Sequence, residues 1–225
     1  ALECCDGSIY ETENAYRIYL NGEFYRETKQ VVNVLYQLEP EKEYCVSVEQ
    51  GEEKAEISFC TEAQDYTVNV RDFGARGDGV QDDTLYIQAA IMACPKDSRV
   101  LIPEGVYRIT SLFLKDHLTL ELAKGAVLSA DTQREKFPIL KGTCQNEEKG
   151  KEYILGTWEG DACDMFSGII TGIGVKDVTI YGEGIIDGNA SWENWWFEAK
   201  KIRIAARPRM IFLNRCENVQ IVGIT

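Results

Sequence analysis

The second half of the chain contains short runs of β-branched residues and leucine that recur at unequal distances. The runs lie in "DHLTLELAKGAVLSA" (116–130), "VKDVTIYGEGIIDGN" (175–189) and "ENVQIVGIT" (217–225). Val178 aligns with Leu118 in the run before it and with Val219 in the run after it, and the first of these intervals is the longer. Glycine, asparagine and aspartate, which favour turns, break the runs into pieces too short for ordinary helices. This pattern predicts short strands joined by tight turns.

Two polar, non-repeating stretches explain the unequal distances. We call residues 131–167 the first excursion and residues 190–208 the second excursion. Without them the two intervals become nearly equal, at about 22 to 23 residues, which with three short strands is one coil of a parallel β-helix. The coils of such a fold stack around a continuous apolar interior. The excursions are then loops, which are the usual carriers of function on a repetitive scaffold.

Residues 1–63 have a different pattern, that of a small antiparallel sandwich. "YRIYLNGEFY" (16–25) alternates apolar and polar residues and turns at Asn21-Gly22, a dipeptide that tolerates the positive φ angles of a tight hairpin. "LEPEKEY" (38–44) resembles the L-x-P-x-x-x-Y tyrosine corner of fibronectin type III domains. We therefore predict two domains: a fibronectin type III-like sandwich over 1–63 and the first coils of a parallel β-helix over 67–225.

The charge of −13 is unevenly distributed. Residues 1–63 hold 14 acidic and 5 basic residues, whereas the basic segment, residues 200–215, holds six bases and no acid. A basic patch on an acidic protein predicts an anionic partner smaller than a nucleic-acid duplex, which the remaining surface would repel. Arg207 and Arg209 are our candidate contacts, because arginine binds carboxylates through a two-pronged hydrogen-bonded contact.

Asp82 and Asp83 form the one pair of adjacent aspartates in the chain, and glycosidases use pairs of acids. The residues that follow, 84–94, have helical apolar spacing, with Leu85, Ala89 and Met92 on the predicted apolar face beside Ile87, Ala90, Ile91 and Cys94. An aspartate at a helix start can accept hydrogen bonds from free backbone N–H groups. We interpret the pair as capping and first-turn residues and not as catalytic acids.

Four segments, taken in order, resemble the polygalacturonases, glycoside hydrolase family 28. They are "VNVRDFGARGDGVQDDTLYIQAAI" (68–91), "VLIPEGVYRITSLFLKDHLTLELAKGAVLSA" (100–130), "GEGIIDGNASWENWW" (182–196) and "RPRMIFLNRCENVQIVGIT" (207–225). The resemblance implies an all-β chain: a right-handed parallel β-helix, with a capping helix at its N-terminal end, after the sandwich. It also implies hydrolysis of α-1,4 galacturonosyl linkages with inversion, and hence an anionic polysaccharide or oligogalacturonide as partner.

The catalytic motifs of that family have no counterpart at a corresponding place in this sequence. The family carries its acids in N-x-D and D-D motifs of later coils, followed by G-H-G and R-x-K. We therefore name no catalytic residue, expect the chain to be a truncated, N-terminal portion, and expect it to be inactive. Asp187 in "IIDGN" and His117, the single histidine, are interpreted as turn residues.

Trp192, Trp195 and Trp196 lie at helical spacing and would form one aromatic face on a short helix. Such a face either packs on the scaffold or stacks on sugar rings. We favour packing, with one indole left for substrate, and choose Trp195 as the candidate.

Three functions stay open at this point. The first is the pectin-degrading hydrolase, which needs no metal or cofactor. For it the added domain and the first excursion suggest exo action on chain ends. The second is a polysaccharide lyase on the same scaffold, and the third is a non-catalytic carbohydrate-binding or adhesion module. The eight cysteines show no C-x-x-C spacing, which favours reduced, buried thiols. No signal peptide or membrane anchor is visible, so we lean towards a cytoplasmic location.

Overall fold

A computed structural model describes residues 1–145, 152–201 and 204–225. The chain divides into two compact units, Ala1–Tyr66 and Thr67–Thr225. No helix among the described residues is long and apolar enough to cross a membrane.

The first unit is antiparallel. Its strands are β1 (Leu2–Glu3), β2 (Glu11–Leu20), β3 (Glu23–Gln30), β4 (Val32–Asn33), β5 (Glu43–Gln50) and β6 (Glu53–Cys60). Four of them form a sheet in the order β3-β2-β5-β6, and β1 pairs with β4. The core of this unit contains Tyr16 and Ile18, from the alternating segment of β2, together with Val46 of β5, and all three are buried.

Two predicted turns of this unit have the expected geometry. Asn21 and Gly22 both adopt positive φ, 52° and 83°, between β2 and β3. The hydroxyl of Tyr44 accepts a hydrogen bond from the backbone N–H of Glu39 at 2.9 Å, so this tyrosine ties the start of β5 to the chain before it. The fibronectin type III identity of the unit stays a prediction.

The second unit consists mainly of short strands. They are β7 (Thr67–Asn69), β8 (Asp78–Asp82), β9 (Arg99–Ile102), β10 (Gly105–Ile109), β11 (Leu112–Phe113), β12 (Leu118–Leu122), β13 (Ala126–Ala130), β14 (Ile139–Leu140), β15 (Thr143–Gln145), β16 (Glu152–Ile154), β17 (Thr157–Trp158), β18 (Asp161–Ala162), β19 (Met165–Phe166), β20 (Ile170–Ile173), β21 (Lys176–Gly182), β22 (Ile185–Asp187), β23 (Ile211–Asn214) and β24 (Glu217–Val222). One α-helix, α1 (Thr84–Ala93), and two 3₁₀ turns, Val70–Phe73 and Arg134–Lys136, accompany them.

Three parallel sheets form the walls of a β-helix, in the orders β7-β9-β12-β21-β24, β8-β10-β13-β22 and β11-β20-β23. Leu118 pairs with Val178, and Val178 pairs with Val219, so the alignment predicted across both excursions is confirmed. Arg99 pairs with Thr119 and Gly105 with Ala126. An uninterrupted coil is therefore about 20 residues long, slightly shorter than predicted.

The interior of the β-helix is apolar because alternate strand residues point inward. Leu118, Leu120, Val178 and Ile180 are completely buried there. All eight cysteines are free, but only Cys94 is buried, so the prediction of generally buried thiols is wrong. The others lie in strands and loops whose side chains reach the surface in part.

Helix α1 follows β8, at the end of the stack where β7 and β8 are edge strands. The predicted helix is confirmed, but its predicted apolar face is partly wrong. Ile87, Ala90 and Ile91 are buried, whereas Leu85 and Met92 are 79% and 60% exposed and Ala89 is also exposed. The helix contacts the coil along a narrow stripe, so the outer part of the broad face remains at the surface.

Asp82 and Asp83 have separate structural roles. Asp83 occupies the N-cap position of α1, yet its buried side chain makes no cap hydrogen bond and instead accepts from the backbone N–H groups of Arg76 and Gly77 at 2.9 and 3.0 Å. Asp82 lies in β8 and accepts from the N–H and hydroxyl of Thr84. The first turn of α1 contains no acid, so that part of the prediction is wrong. The side chain of Asp83 is therefore held by hydrogen bonds from the loop before β8 and not by the first turn of α1.

Gly182 allows two coils to approach each other closely. Its φ is 133°, and a Cβ atom added there would lie 1.9 Å from the carbonyl oxygen of Leu122. We expect Gly182→Ala to lower the free energy of unfolding by about 3 kcal/mol or more, because backbone must move to relieve the overlap. Gly174→Ala is the matched control, since Gly174 also has positive φ (66°) but faces open space, and should cost about 1 kcal/mol. Urea unfolding measures both, and equal losses would contradict the close-approach explanation.

Candidate functional site

One pocket of about 540 Å³ lies between the C-terminal ends of strands in one parallel sheet and the start of a strand in another. Ala130 and Asp187 lie at the ends of β13 and β22, and Ile169 precedes β20. The two excursions and the residues directly before and after the second one supply the other walls: Phe137, Trp158, Gly188, Asn189, Ala190, Trp195, Trp196, Arg207, Pro208, Arg209 and Met210. All three residues predicted to bind substrate, Arg207, Arg209 and Trp195, therefore line the same pocket.

The two arginines approach a single indole. The guanidinium carbons of Arg207 and Arg209 lie 5.6 and 6.0 Å from the ring centre of Trp158. Nη2 of Arg209 also donates to the backbone oxygen of Thr157 at 3.4 Å. Neither guanidinium forms a salt bridge with a carboxylate of the described residues. Two cations thus stand at the pocket wall without a charged partner among those residues, and such a wall can bind an anion.

Trp195 has a packing role. It is only 4% exposed, and its ring contacts those of Phe137 and Phe166 edge-on, with centroids 5.4 and 5.8 Å apart. The guanidinium of Arg134 lies 4.6 Å from its centroid. Little indole surface is left for a sugar, so Trp195 anchors the second excursion to the first.

The exposed indoles lie on either side of Trp195 in sequence. Trp196 is 41% exposed and lines the pocket, and it contacts the 71% exposed Trp192 edge-on at 5.5 Å. The predicted short helix is wrong, because residues 192–200 form successive turns, with the N–H of Trp196 donating to the oxygen of Ser191. Trp196 is better placed than Trp195 to contact a sugar ring.

The side chain of Asn189 attaches the start of the second excursion to the preceding coil. Nδ2 of Asn189 donates to Oγ of Ser129 at 2.7 Å and to the oxygen of Ala130 at 2.8 Å. Oδ1 of Asp187 accepts from the N–H of Asn189 at 2.8 Å, in agreement with its predicted turn role. Asp187 is nevertheless the only acid among the described residues that line the pocket.

Ion pairs hold the first excursion in place. Burial would raise the pKa of Asp131, but hydrogen bonds from Lys136 and the N–H of Gln133 hold that pKa below its ordinary value. A hydrogen bond from Lys141 to Asp164, 2.8 Å long, likewise lowers the pKa of that carboxyl. Both carboxylates therefore stay charged at neutral pH. Asp131 holds the turn at the start of the excursion, whereas Asp164 joins the end of the excursion to Lys141.

Within the first excursion the strands pair antiparallel, as β14–β19, β15–β16 and β17–β18. The periodicity of the coils did not indicate Trp158, because this residue lies on the short hairpin β17–β18 and not on a coil. The one feature of the sequence that could have indicated it is a single tryptophan within a polar stretch.

The remaining predicted residues lie away from the pocket. His117 has φ of 54° at a coil corner, as expected of a turn residue, and its Nδ1 lies 3.2 Å from Oδ2 of Asp177. Lys201 pairs with Glu198 at 2.7 Å, and Arg203 of the basic segment lies outside the described residues. Across the described part of the chain, no three His, Cys, Asp or Glu side chains are grouped as metal ligands would be.

Comparison with known proteins supports a common scaffold. Residues 67–152 match the family model described as rhamnogalacturonase A/epimerase, pectate lyase-like. The exo-poly-alpha-D-galacturonosidase of Dickeya chrysanthemi is 31% identical over 134 residues, which are 59% of this chain and 21% of that protein. The plasmin and fibronectin-binding protein A of Streptococcus pneumoniae is 29% identical over 168 residues, 73% of this chain and 21% of that protein.

A solved structure shares the fold. The family 28 exopolygalacturonase of Yersinia enterocolitica matches with a TM-score of 0.67 and 21% identity, covering 100% of this chain and 51% of that one. The chain thus spans about a fifth of these curated relatives and about half of this solved structure. At this identity the structural match establishes a fold, the parallel β-helix of polygalacturonases.

Proposed function

We propose that this pectate lyase-like β-helix binds galacturonate residues of pectin in the pocket and forms part of a glycoside hydrolase that cleaves α-1,4 galacturonosyl linkages with inversion. The single observation that carries the proposal is the pair of guanidiniums, Arg207 and Arg209, which line the pocket without carboxylate partners among the described residues. The similarity of the chain to an exo-poly-alpha-D-galacturonosidase supports the same substrate class.

The chemistry of the substrate fits this wall. Each galacturonate residue carries one carboxylate, to which a guanidinium can donate two parallel hydrogen bonds. A face of the sugar ring is apolar enough to stack on an indole, and Trp196 has an exposed indole in the same pocket. A pocket with aromatic walls and a few convergent polar groups is typical of small-ligand sites.

The described pocket residues do not supply the acids of an inverting mechanism. Such a mechanism needs one protonated carboxyl for the leaving oxygen and a second carboxylate, about 6.5–9.5 Å away, to activate water. Asp187 is the one acid lining the pocket in the described part of the chain. We therefore assign binding to these residues and place the catalytic pair outside them. Because the first excursion walls one side of the pocket, we also favour exo action on chain ends.

A non-catalytic binding module is the second candidate. The observation that favours it is the 29% identity to a plasmin and fibronectin-binding protein over 73% of this chain. A lyase on the same scaffold remains an alternative for the chemistry. It would release an unsaturated product that absorbs ultraviolet light, whereas a hydrolase would not.

Titration of the chain with trigalacturonate, and with its methyl ester as an uncharged control, tests the proposal. We expect the acid to bind about tenfold or more tightly than the ester, because only the acid offers carboxylates to the arginines. We also expect no reducing-sugar release from polygalacturonate. Equal affinity for acid and ester would contradict carboxylate recognition. Hydrolysis by this chain would contradict the placement of the catalytic carboxylates outside the described pocket residues.

A further inference from the structure

The first excursion and the basic segment meet through three cation–π contacts. Arg207 and Arg209 contact the indole of Trp158, and the guanidinium carbon of Arg215 lies 4.0 Å from the ring centre of Tyr153. Trp158 lies on the hairpin β17–β18, and Tyr153 on the strand β16. The Arg215 contact involves no residue that lines the pocket, whereas Trp158, Arg207 and Arg209 all do.

Each pocket arginine has few other restraints. Arg209 is exposed, and its side chain has one hydrogen bond to a described residue, to the oxygen of Thr157, the neighbour of Trp158. Arg207 is half-buried. A long flexible side chain loses rotamer freedom when it binds a ligand, which weakens binding unless the free protein already restricts that side chain. The indole of Trp158 is the restraint that the two side chains share.

A cation–π contact leaves the guanidinium able to bind an anion. The attraction acts between the charge and the face of the ring, and the N–H groups of arginine can still donate to a carboxylate. One indole that attracts two guanidiniums also holds two like charges at the same wall. The attraction of both guanidiniums to a negative charge bound beside them would offset their mutual repulsion.

We propose that Trp158 is a positioning residue that orders Arg207 and Arg209 for a sugar carboxylate, so that the first excursion sets the preference for acidic over neutral sugars. This inference rests on the proposed function, since it concerns the same pocket. Trp158 itself acts through the arginines: its replacement should weaken binding of the charged ligand and leave that of the uncharged ligand nearly unchanged.

Calorimetric titration of four proteins with trigalacturonate and its methyl ester tests the proposal. The proteins are the unaltered chain, Trp158→Ala, Trp158→Phe and Tyr153→Ala. We expect Trp158→Ala to bind the acid about tenfold more weakly, and Trp158→Phe to stay within about threefold because phenylalanine keeps an aromatic face. Tyr153→Ala removes an equivalent contact of the same excursion outside the pocket, and should leave affinity unchanged.

The outcomes separate this inference from the proposed function. Failure of the unaltered chain to prefer the acid overturns both. A preserved preference in Trp158→Ala overturns the positioning role alone. An equal loss for acid and ester in Trp158→Ala also overturns it, because the indole would then contact the sugar directly. The proposal is supported if Trp158→Ala binds the acid about tenfold more weakly and the ester normally, and if Trp158→Phe recovers the affinity for the acid.

Discussion

Replacing Arg207 and Arg209 together with alanine is expected to weaken trigalacturonate binding by about 100-fold. A hydrogen bond to a charged group contributes about 1.5–3 kcal/mol, and about 1.4 kcal/mol corresponds to a tenfold change in affinity. Each arginine should therefore contribute about tenfold. The salt dependence of binding should also become flatter, because fewer charge contacts remain to be screened. Titration at low and high salt measures both effects.

Lys201→Ala is the matched control for charge. Lys201 belongs to the same basic segment, but it is exposed, pairs with Glu198 and does not line the pocket. It should leave affinity within about twofold, because salt largely screens an exposed charge that does not contact the ligand. Similar losses in Lys201→Ala and the arginine variants would show that general positive charge, and not the pocket, attracts the ligand.

Asp83→Ala is expected to destabilise the second unit by about 3 kcal/mol, whereas Asp82→Ala should cost about 1 kcal/mol or less. The Asp83 carboxylate is completely buried and accepts from Arg76, Gly77 and the Nε2 atom of Gln81. Its removal leaves these donors without their partner. Asp82 is exposed and accepts from Thr84, so water can replace it.

Tryptophan fluorescence during urea unfolding measures this difference. All four tryptophans, Trp158, Trp192, Trp195 and Trp196, belong to the second unit, so their signal reports that unit. Asp83→Asn keeps an acceptor oxygen of the same shape and should fall between the two alanine variants. Equal destabilisation by Asp82→Ala and Asp83→Ala would refute the separate roles assigned to the pair.

The strand register could be predicted because burial constrains it. A shift by a single position would turn Val178 and Ile180 outward, so these apolar positions must stack on Leu118 and Leu120. The two excursions obscured the repeat without disturbing it, since the coil resumes its register after each of them. The pairing of Val178 with Leu118 and Val219 shows this directly.

The site was predictable only in part, because its walls come from irregular segments. Arg207 and Arg209 were chosen from a local excess of positive charge, which needs no knowledge of packing, and both line the pocket. Trp158 was missed because nothing in its neighbourhood repeats. Trp195 and Trp196 could not be distinguished, since helical spacing was assumed for residues that form turns, and only packing on Phe137 and Phe166 shows which indole is buried.

A crystal structure of the chain with trigalacturonate tests the central claim most directly. Our account predicts a ligand carboxylate oxygen within about 3 Å of guanidinium nitrogens of both Arg207 and Arg209, with a sugar ring beside Trp196. A saccharide bound elsewhere on the β-helix, with both guanidiniums facing solvent, would contradict it.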